Sequence, residues 1–286
     1  MSIATVAVIG SGLMGRGIAY AAALGGYRTL VHDASSGALA GAMSQIGRDL
    51  DEGVARGKVA PERAEAARAR LSTLAELDDV ARAADFVIEA VPEDLALKRR
   101  VFARLDALAR PEVVLSSNTS ALSIAEIAAA TGRRDRVLGM HFFNPVPKMR
   151  LVEIVRGADT SEAAVAVTAE VARGMGKETI VVKESPGFVT SRINALIGNE
   201  AFHMLGEGIA TAEDIDKGVK LGLNHPMGPF EMVDLVGLDT RLAVLEHLHR
   251  TLGEKYRPAP LLVQHVKAGR LGRKSGRGVY EYPEKT

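Results

Sequence analysis

Thr5-Val6-Ala7-Val8-Ile9-Gly10-Ser11-Gly12-Leu13-Met14-Gly15-Arg16-Gly17-Ile18-Ala19 sets an apolar, β-branched run against Gly-x-Gly-x-x-Gly, and an Ala-rich segment follows to Gly25-Gly26. The pattern specifies a buried parallel strand, a tight turn and a helix. Gly10 serves a turn with no room for a Cβ, Gly12 lets the main chain approach a pyrophosphate, and Gly15 lets the helix pack closely on the strand. Phosphates belong on the N–H groups of the helix's first turn, where the dipole favours negative charge. Gly10, Ser11, Gly12, Leu13, Met14 and Gly15 are therefore the candidate dinucleotide cradle. A glycine triplet alone says little; the strand–turn–helix context gives it meaning. A second strand, Arg28-Thr29-Leu30-Val31-His32, ends on Asp33, about 20 residues past the glycines, where an acid holds a ribose 2′-hydroxyl. A carboxylate there repels a 2′-phosphate, and Ala34-Ser35-Ser36 offers no arginine to hold one, so the cofactor read from these residues is NAD.

Working outward, 286 residues suffice for a sizeable core and for two domains. With 36 Lys+Arg against 35 Asp+Glu, no general field attracts nucleic acid or a membrane surface. The basic runs Lys98-Arg99-Arg100 and Arg133-Arg134 lack interleaved aromatics and read as solvated helix surface. The absence of cysteine excludes disulfides, thiol nucleophiles and zinc–thiolate sites. No apolar run approaches a bilayer span, and the chain enters a strand almost at once, without a leader-like segment. The expectation is a cytoplasmic protein that binds neither nucleic acid, membrane nor metal.

Past Asp33, a polar Ala-rich helix from Ser36 to about Val54 breaks at Gly57-Lys58-Val59-Ala60-Pro61 before a second helix to about Arg70. This reads as a helical hairpin projecting from the sheet, long for a simple crossover. Arg56 and Lys58 lie near its tip, where solvated charge is the commoner explanation and a phosphate the more specific one. Strands are expected over 71–74, 84–91, 113–117, 136–141, 151–155 and 179–182, with helices over 95–108, 122–129 and 161–175. At Lys183-Glu184-Ser185-Pro186-Gly187 the βα alternation stops. Residues 1–184 thus form a Rossmann-type, doubly wound, mainly parallel α/β domain with a helical-hairpin insertion. Residues 185–286 form an all-helical domain for substrate and dimerisation. That domain opens with a helix over 188–205, whose broad apolar stripe (Val189, Ile193, Leu196, Ile197 and Met204) suits a subunit contact. Thr211-x-x-Asp214 is a capping box, and the acids Glu213, Asp214 and Asp216 read as a helix start rather than a metal site.

Chemistry collects at the strand ends. Glu93 lies just past one, where open α/β sheets bind ligands, while its neighbour Asp94 reads as a helix cap. Ser117-Asn118-Thr119-Ser120 either cap the next helix or face the crevice. Of seven histidines, His32 lies beside the ribose acid, far from a nicotinamide, and only His141 is at a strand end of the cofactor domain with a buried acid nearby. Glu153 alternates with Leu151 and Val155 on one strand face, where a carboxylate needs a partner. Oxidation of an alcohol by NAD needs a base for the hydroxyl proton, and a carboxylate partner fixes an imidazole's tautomer and steadies its cation.

Ser117-Asn118-Thr119-Ser120, His141-Phe142-Phe143-Asn144-Pro145-Val146-Pro147, Leu151-Val152-Glu153, Pro186-Gly187-Phe188-Val189 and Pro226-Met227-Gly228-Pro229-Phe230-Glu231 together resemble the short-chain L-3-hydroxyacyl-CoA dehydrogenases, including bacterial 3-hydroxybutyryl-CoA dehydrogenases. The resemblance implies NAD-dependent oxidation of an (S)-3-hydroxyacyl-CoA, with His141 as base, Glu153 orienting it and Ser120 against the C3 oxygen. It implies that Glu93, Lys98, Asn144 and Lys274 contact cofactor, with Asn144 also at the substrate. It further makes the hairpin, with Arg56 and Lys58, a CoA-binding feature, and it implies a homodimer. One position departs: Pro186-Gly187-Phe188-Val189-Thr190-Ser191-Arg192 carries Ser191 where the family pattern has Asn as a substrate ligand. Two other functions fit the same scaffold. One is a dehydrogenase of a free hydroxy acid such as L-gulonate; the other is a non-catalytic NAD-binding protein, against which the intact His–Glu pair argues.

Overall fold

Residues 3–282 are described by a computed structural model, in which the chain divides into two units, Met1–Glu184 and Ser185–Thr286. The first is built on one sheet. Its strands are β1 (Thr5–Ile9), β2 (Arg28–His32), β3 (Leu71–Thr73), β4 (Phe86–Glu89), β5 (Val114–Ser117), β6 (Val137–Phe142), β7 (Leu151–Arg156) and β8 (Glu178–Lys183). They lie in the order β3-β2-β1-β4-β5-β6-β7-β8. The order reverses at β1, so a crevice opens between the carboxyl ends of β1 and β4.

The crossovers are α1 (Leu13–Leu24), α2 (Ser36–Ala55), α3 (Pro61–Arg70), α4 (Leu77–Ala83), α5 (Leu95–Leu108), α6 (Ile124–Ala128) and α7 (Glu162–Gly174). The strands β1, β4 and β5 are buried at every residue. This is why they read as unbroken apolar runs rather than alternating ones. Ile18, Ile46, Leu50 and Phe86 pack with Val6 and Val8 into one core, each such burial contributing about 1.5–3 kcal/mol. The helix α4 is an addition to the sequence reading. Asp78 and Asp79 occupy its first turn, and Val80 and Ala81 are its only buried residues, too short a period to register.

One strand pair breaks the parallel rule. Residues 143–150, with two prolines, are too few for a crossover helix, so β7 returns antiparallel to β6. His141 and Glu153 become direct cross-strand partners. The chain then passes through α7, capped by the Ser161 hydroxyl, to β8, which lies parallel to β7.

The second unit packs α8 (Thr190–Gly206), α9 (Ala212–Gly222), α10 (Pro229–Val236), α11 (Leu238–Leu252) and α12 (Pro260–Lys267) around Phe202, Phe230, Leu245, Leu248 and Tyr256. The helix α8 begins two residues later than its apolar pattern suggests. Phe188 has φ +48°, outside helical space, in a turn whose N–H donates to Ser185. Its buried face is Ala195, Gly198, Asn199, Ala201 and Phe202, whereas Ile193 of the expected stripe is 55 % exposed. Asp216 is more than a helix-start acid. It is buried and accepts from Phe230 N–H, Glu231 N–H and the Tyr280 hydroxyl, so it caps α10 from α9. Asp234 of α10 accepts from Val279 N–H, Tyr280 N–H and the Tyr282 hydroxyl, pinning the tail. A Cβ on Gly278 would fall 2.0 Å from Asp234 Oδ1, which explains the glycine there.

A Cβ on Gly15 would stand 1.8 Å from the Gly10 carbonyl oxygen. Gly15→Ala must therefore push α1 off β1, costing about 1–3 kcal/mol of stability. Thermal denaturation checks this: an unshifted midpoint would show that the helix is not held at that distance.

Candidate active site

The turn after β1 has the shape the glycines require. Gly10 has φ +97° and donates its N–H to His32 at the end of β2. Gly12 precedes α1 and offers no side-chain cap, and no acid lies in the helix's first turn. Its opening N–H groups thus present undiluted positive potential to an anion. A Cβ on Gly12 would meet nothing within 4 Å, so there is room in front of the helix for a pyrophosphate. Beside it, Asp33 accepts from Ser11 N–H (2.8 Å), Ser11 Oγ (2.8 Å) and Ser35 N–H (2.9 Å). Partial burial alone would raise its carboxyl, but the Ser35 and Ser11 N–H groups and the Ser11 hydroxyl outweigh this and hold it below the usual range. It is a fixed anion suited to ribose hydroxyls. These residues fit an NAD adenosine and its diphosphate. Ser11 turns out to be the residue that orients Asp33.

At the ends of β4 and β5 lies a polar network that the sequence reading only half resolves. Glu93 Oε1 accepts from Thr119 Oγ1 (2.5 Å) and from Ser120 N–H (3.0 Å), and its neighbour Asp94 caps α5 through Leu97 N–H. Asn118 Oδ1 accepts from Phe142 N–H, tying the end of β5 to that of β6. None of Ser117, Asn118, Thr119 and Ser120 caps α6; Ser123 does. Ser120 is exposed at the sheet end. Lys98 is fully buried, with Nζ 2.7 Å from Glu89 Oε1 and 3.5 Å from Glu93 Oε2. The structure thus places it between two carboxylates, not on the solvated helix surface expected of Lys98-Arg99-Arg100. Glu89 went unnoticed in the sequence, although a lone carboxylate inside Phe86-Val87-Ile88-Glu89-Ala90-Val91 needs a partner for the same reason as Glu153. Burial pushes its carboxyl up, against the Lys98 ammonium, Ser117 and Val91 N–H.

One strand pair further on, His141 Nδ1 is 2.7 Å from Glu153 Oε2, with Glu153 wholly buried and the imidazole 9 % exposed. The Phe143 ring lies 4.5 Å from the imidazole and tilted to it. An ionised Glu153 holds the proton on Nδ1, which makes Nε2 the basic nitrogen. Asn144 is exposed in the following loop. That loop is anchored by Lys177, another residue missed in the sequence: its buried ammonium donates to Val146 O (2.5 Å) and Met149 O (2.8 Å). Desolvation lowers the Lys177 pKa.

A cavity of about 650 Å³ opens in the same unit between α1, the α2–α3 hairpin and the 144–148 loop. Arg16, Arg56, Lys58, Arg63, Lys148 and Lys177 line it against Asp49 and Glu52. Arg56 pairs with Glu52 at 3.1 Å, and Lys58 is exposed. In the second unit, Ser191 lies half-buried at the start of α8, and the Lys274 ammonium is held by Asp239 at 2.6 Å. Among the described residues no group of acids and histidines has metal-ligating geometry, and no helix is long and apolar enough to cross a membrane.

A dinucleotide cradle and a buried His–Glu pair on one sheet edge define an NAD-dependent oxidoreductase. Two family models cover nearly the whole chain: the NAD-binding domain of 3-hydroxyacyl-CoA dehydrogenase matches residues 5–185 and its C-terminal domain residues 187–282. The chain is 45 % identical, over the full length of both, to a probable 3-hydroxybutyryl-CoA dehydrogenase of Bacillus subtilis. It is 43 % identical to 3-hydroxybutyryl-CoA dehydrogenase of Bradyrhizobium diazoefficiens, over 98 % of this chain and 96 % of that one. A crystal structure of (S)-3-hydroxybutyryl-CoA dehydrogenase from Ralstonia eutropha superposes with TM-score 0.95 at 45 % identity, over 99 % of this chain and 100 % of the other. The chain belongs to the 3-hydroxyacyl-CoA dehydrogenase family, and its cofactor is NAD.

Because Ser11 gives Asp33 Oδ2 two of its hydrogen bonds, Ser11→Ala should weaken NADH binding about tenfold, the scale of one hydrogen bond to a charged group. Fluorescence titration measures it, and an unchanged Kd would mean Asp33 needs no such support.

Proposed function

We propose that the protein interconverts short-chain (S)-3-hydroxyacyl-CoA and 3-oxoacyl-CoA esters, with 3-hydroxybutyryl-CoA as the representative substrate and His141 as the general base. The observation that carries this reading is the 2.7 Å His141–Glu153 bond at a sheet end in the same unit as the dinucleotide cradle. When bound, NAD supplies the two-electron acceptor. His141 Nε2 takes the C3 hydroxyl proton in oxidation and returns it in reduction. Glu153, desolvated and hydrogen-bonded to Nδ1, stabilises the imidazolium that this transfer creates. Ser120 donates to the C3 oxygen, Glu93 and Asn144 line the cofactor's path, and Glu153 itself never needs to exchange a proton with substrate.

The hairpin cavity supports a CoA substrate over a free hydroxy acid. Six basic side chains against two acids, Arg56 and Lys58 among them, suit a multiply phosphorylated tail. Ser191, shorter than the usual Asn, supplies one hydroxyl where an amide would offer both a donor and an acceptor. A cytoplasmic homodimer belongs to the same reading. The second unit leaves Ile209, Leu221 and Leu223 at least 63 % exposed, apolar side chains that a subunit contact would cover.

Replacing His141 with Gln should lower acetoacetyl-CoA turnover by NADH about 10²–10⁴-fold, the usual worth of a positioned base, with NADH affinity within about twofold of the parent. A variant retaining several per cent of activity would remove His141 from this role. Substituting Arg56 and Lys58 together by Ala should raise KM for acetoacetyl-CoA and flatten its salt dependence, leaving kcat nearly constant. Steady-state kinetics over 3-oxoacyl-CoA esters of rising length, alongside free hydroxy acids, decides the substrate class; turnover of L-gulonate without turnover of any CoA ester would overturn the reading.

A further inference from the structure

The β4 strand ends on a carboxylate that the mechanism above does not use. Glu89 is wholly buried, and each of its oxygens is engaged. Oε1 accepts from Lys98 Nζ (2.7 Å) and Val91 N–H (2.6 Å), and Oε2 accepts from Ser117 Oγ (2.6 Å). The Lys98 ammonium faces a second acid, Glu93 Oε2, at 3.5 Å, and Glu93 Oε1 holds Thr119 Oγ1 and the Ser120 N–H. A continuous chain therefore runs from the interior of the sheet to its ligand-facing edge: Ser117, Glu89, Lys98, Glu93, Ser120.

We propose that Glu89 is a positioning residue for the reaction, holding Lys98 in place so that Glu93 fixes the Ser120 main chain at the substrate's C3 oxygen. The proposal rests on the reading of Ser120 given above. Stability alone is a poor reason for this arrangement, because a buried ion pair is often matched or bettered by apolar residues of similar size. What the pair does accomplish is geometric. One ammonium is shared between an inner and an outer carboxylate, and the outer one keeps an oxygen for Ser120. With Glu89 neutral, Glu93 is the only carboxylate left to a desolvated ammonium. It is then drawn inward from 3.5 Å, and the Ser120 N–H loses its acceptor.

The experiment compares the full-length parent with Glu89→Gln and with Glu89→Gln/Lys98→Met, in which neither member of the buried pair is charged. It reads the thermal midpoint, kcat and KM for acetoacetyl-CoA with NADH, and amide exchange at Ser120. Glu89→Gln should lower kcat at least about tenfold with KM within about threefold, since the CoA tail binds elsewhere, and should speed Ser120 exchange by a similar factor. The double variant should regain the parent's midpoint without regaining kcat or Ser120 protection, because Glu93 then has no ammonium. Parent-like kcat and exchange in folded Glu89→Gln would overturn the proposal. So would recovery of both in the double variant, which would make Glu89 a mere neutraliser of Lys98. Should Glu89→Gln fail to fold, the double variant decides by the same two readouts. A parent that does not reduce acetoacetyl-CoA overturns the substrate reading instead, and Ser120 exchange still judges Glu89.

Discussion

The antiparallel register of β6 and β7 is the constraint on which the candidate active site depends. His141 stands directly opposite Glu153 because a short, proline-bearing connection turns the chain back one strand early in an otherwise parallel sheet. Side chains alternate with a period of two, so a slip of one residue would send Glu153 to the other face and leave a buried carboxylate without its imidazole. Burial on both faces makes such a slip costly, since Val152, Ile154 and Val155 would leave their places in the core. The geometry of the His–Glu pair is thus secured by packing.

The same economy recurs at acids that this chain buries or half-buries. Asp33 is tied by Ser11 and Ser35, Glu89 by Lys98, Ser117 and Val91, Glu153 by His141, and Asp216 by two helix N–H groups and a tyrosine. Each desolvated carboxylate is satisfied by groups from a different element, so each one joins two pieces of structure while fixing a charge. In the first unit these joints lie at strand ends, where doubly wound sheets open toward ligands.

Much of this was legible in the residues themselves. The glycine triplet declared the first βα unit because its strand and helix flank it in sequence, and Glu153 announced a partner because an acid amid apolar alternation has few alternatives. The His–Glu pairing was inferable because only one connection separates the two strands. Less legible were the features made by distant elements. Glu89 and Lys98 sit nine residues apart on a strand and a helix, and their shared burial emerges only when α5 folds back on β4. Lys98, in a basic run that reads as solvated helix surface, is therefore fully buried instead. Phe188 looked helical from its hydrophobicity, whereas the backbone turn before it, with a residue at positive φ, delays α8 to Thr190. Asp216 matched a helix start by local pattern, and its role in capping α10 depends on a turn folding back over it.

In the proposed reaction, His141 Nε2 meets the oxygen of the substrate's C3. A crystal structure of the complex with NAD and acetoacetyl-CoA tests this most directly. The expected result is Nε2 within about 2.6–3.2 Å of the C3 oxygen, Nδ1 still on Glu153, and the Ser120 hydroxyl on the same oxygen. A ligand whose C3 oxygen lies beyond reach of His141, with another side chain in that place, would contradict it.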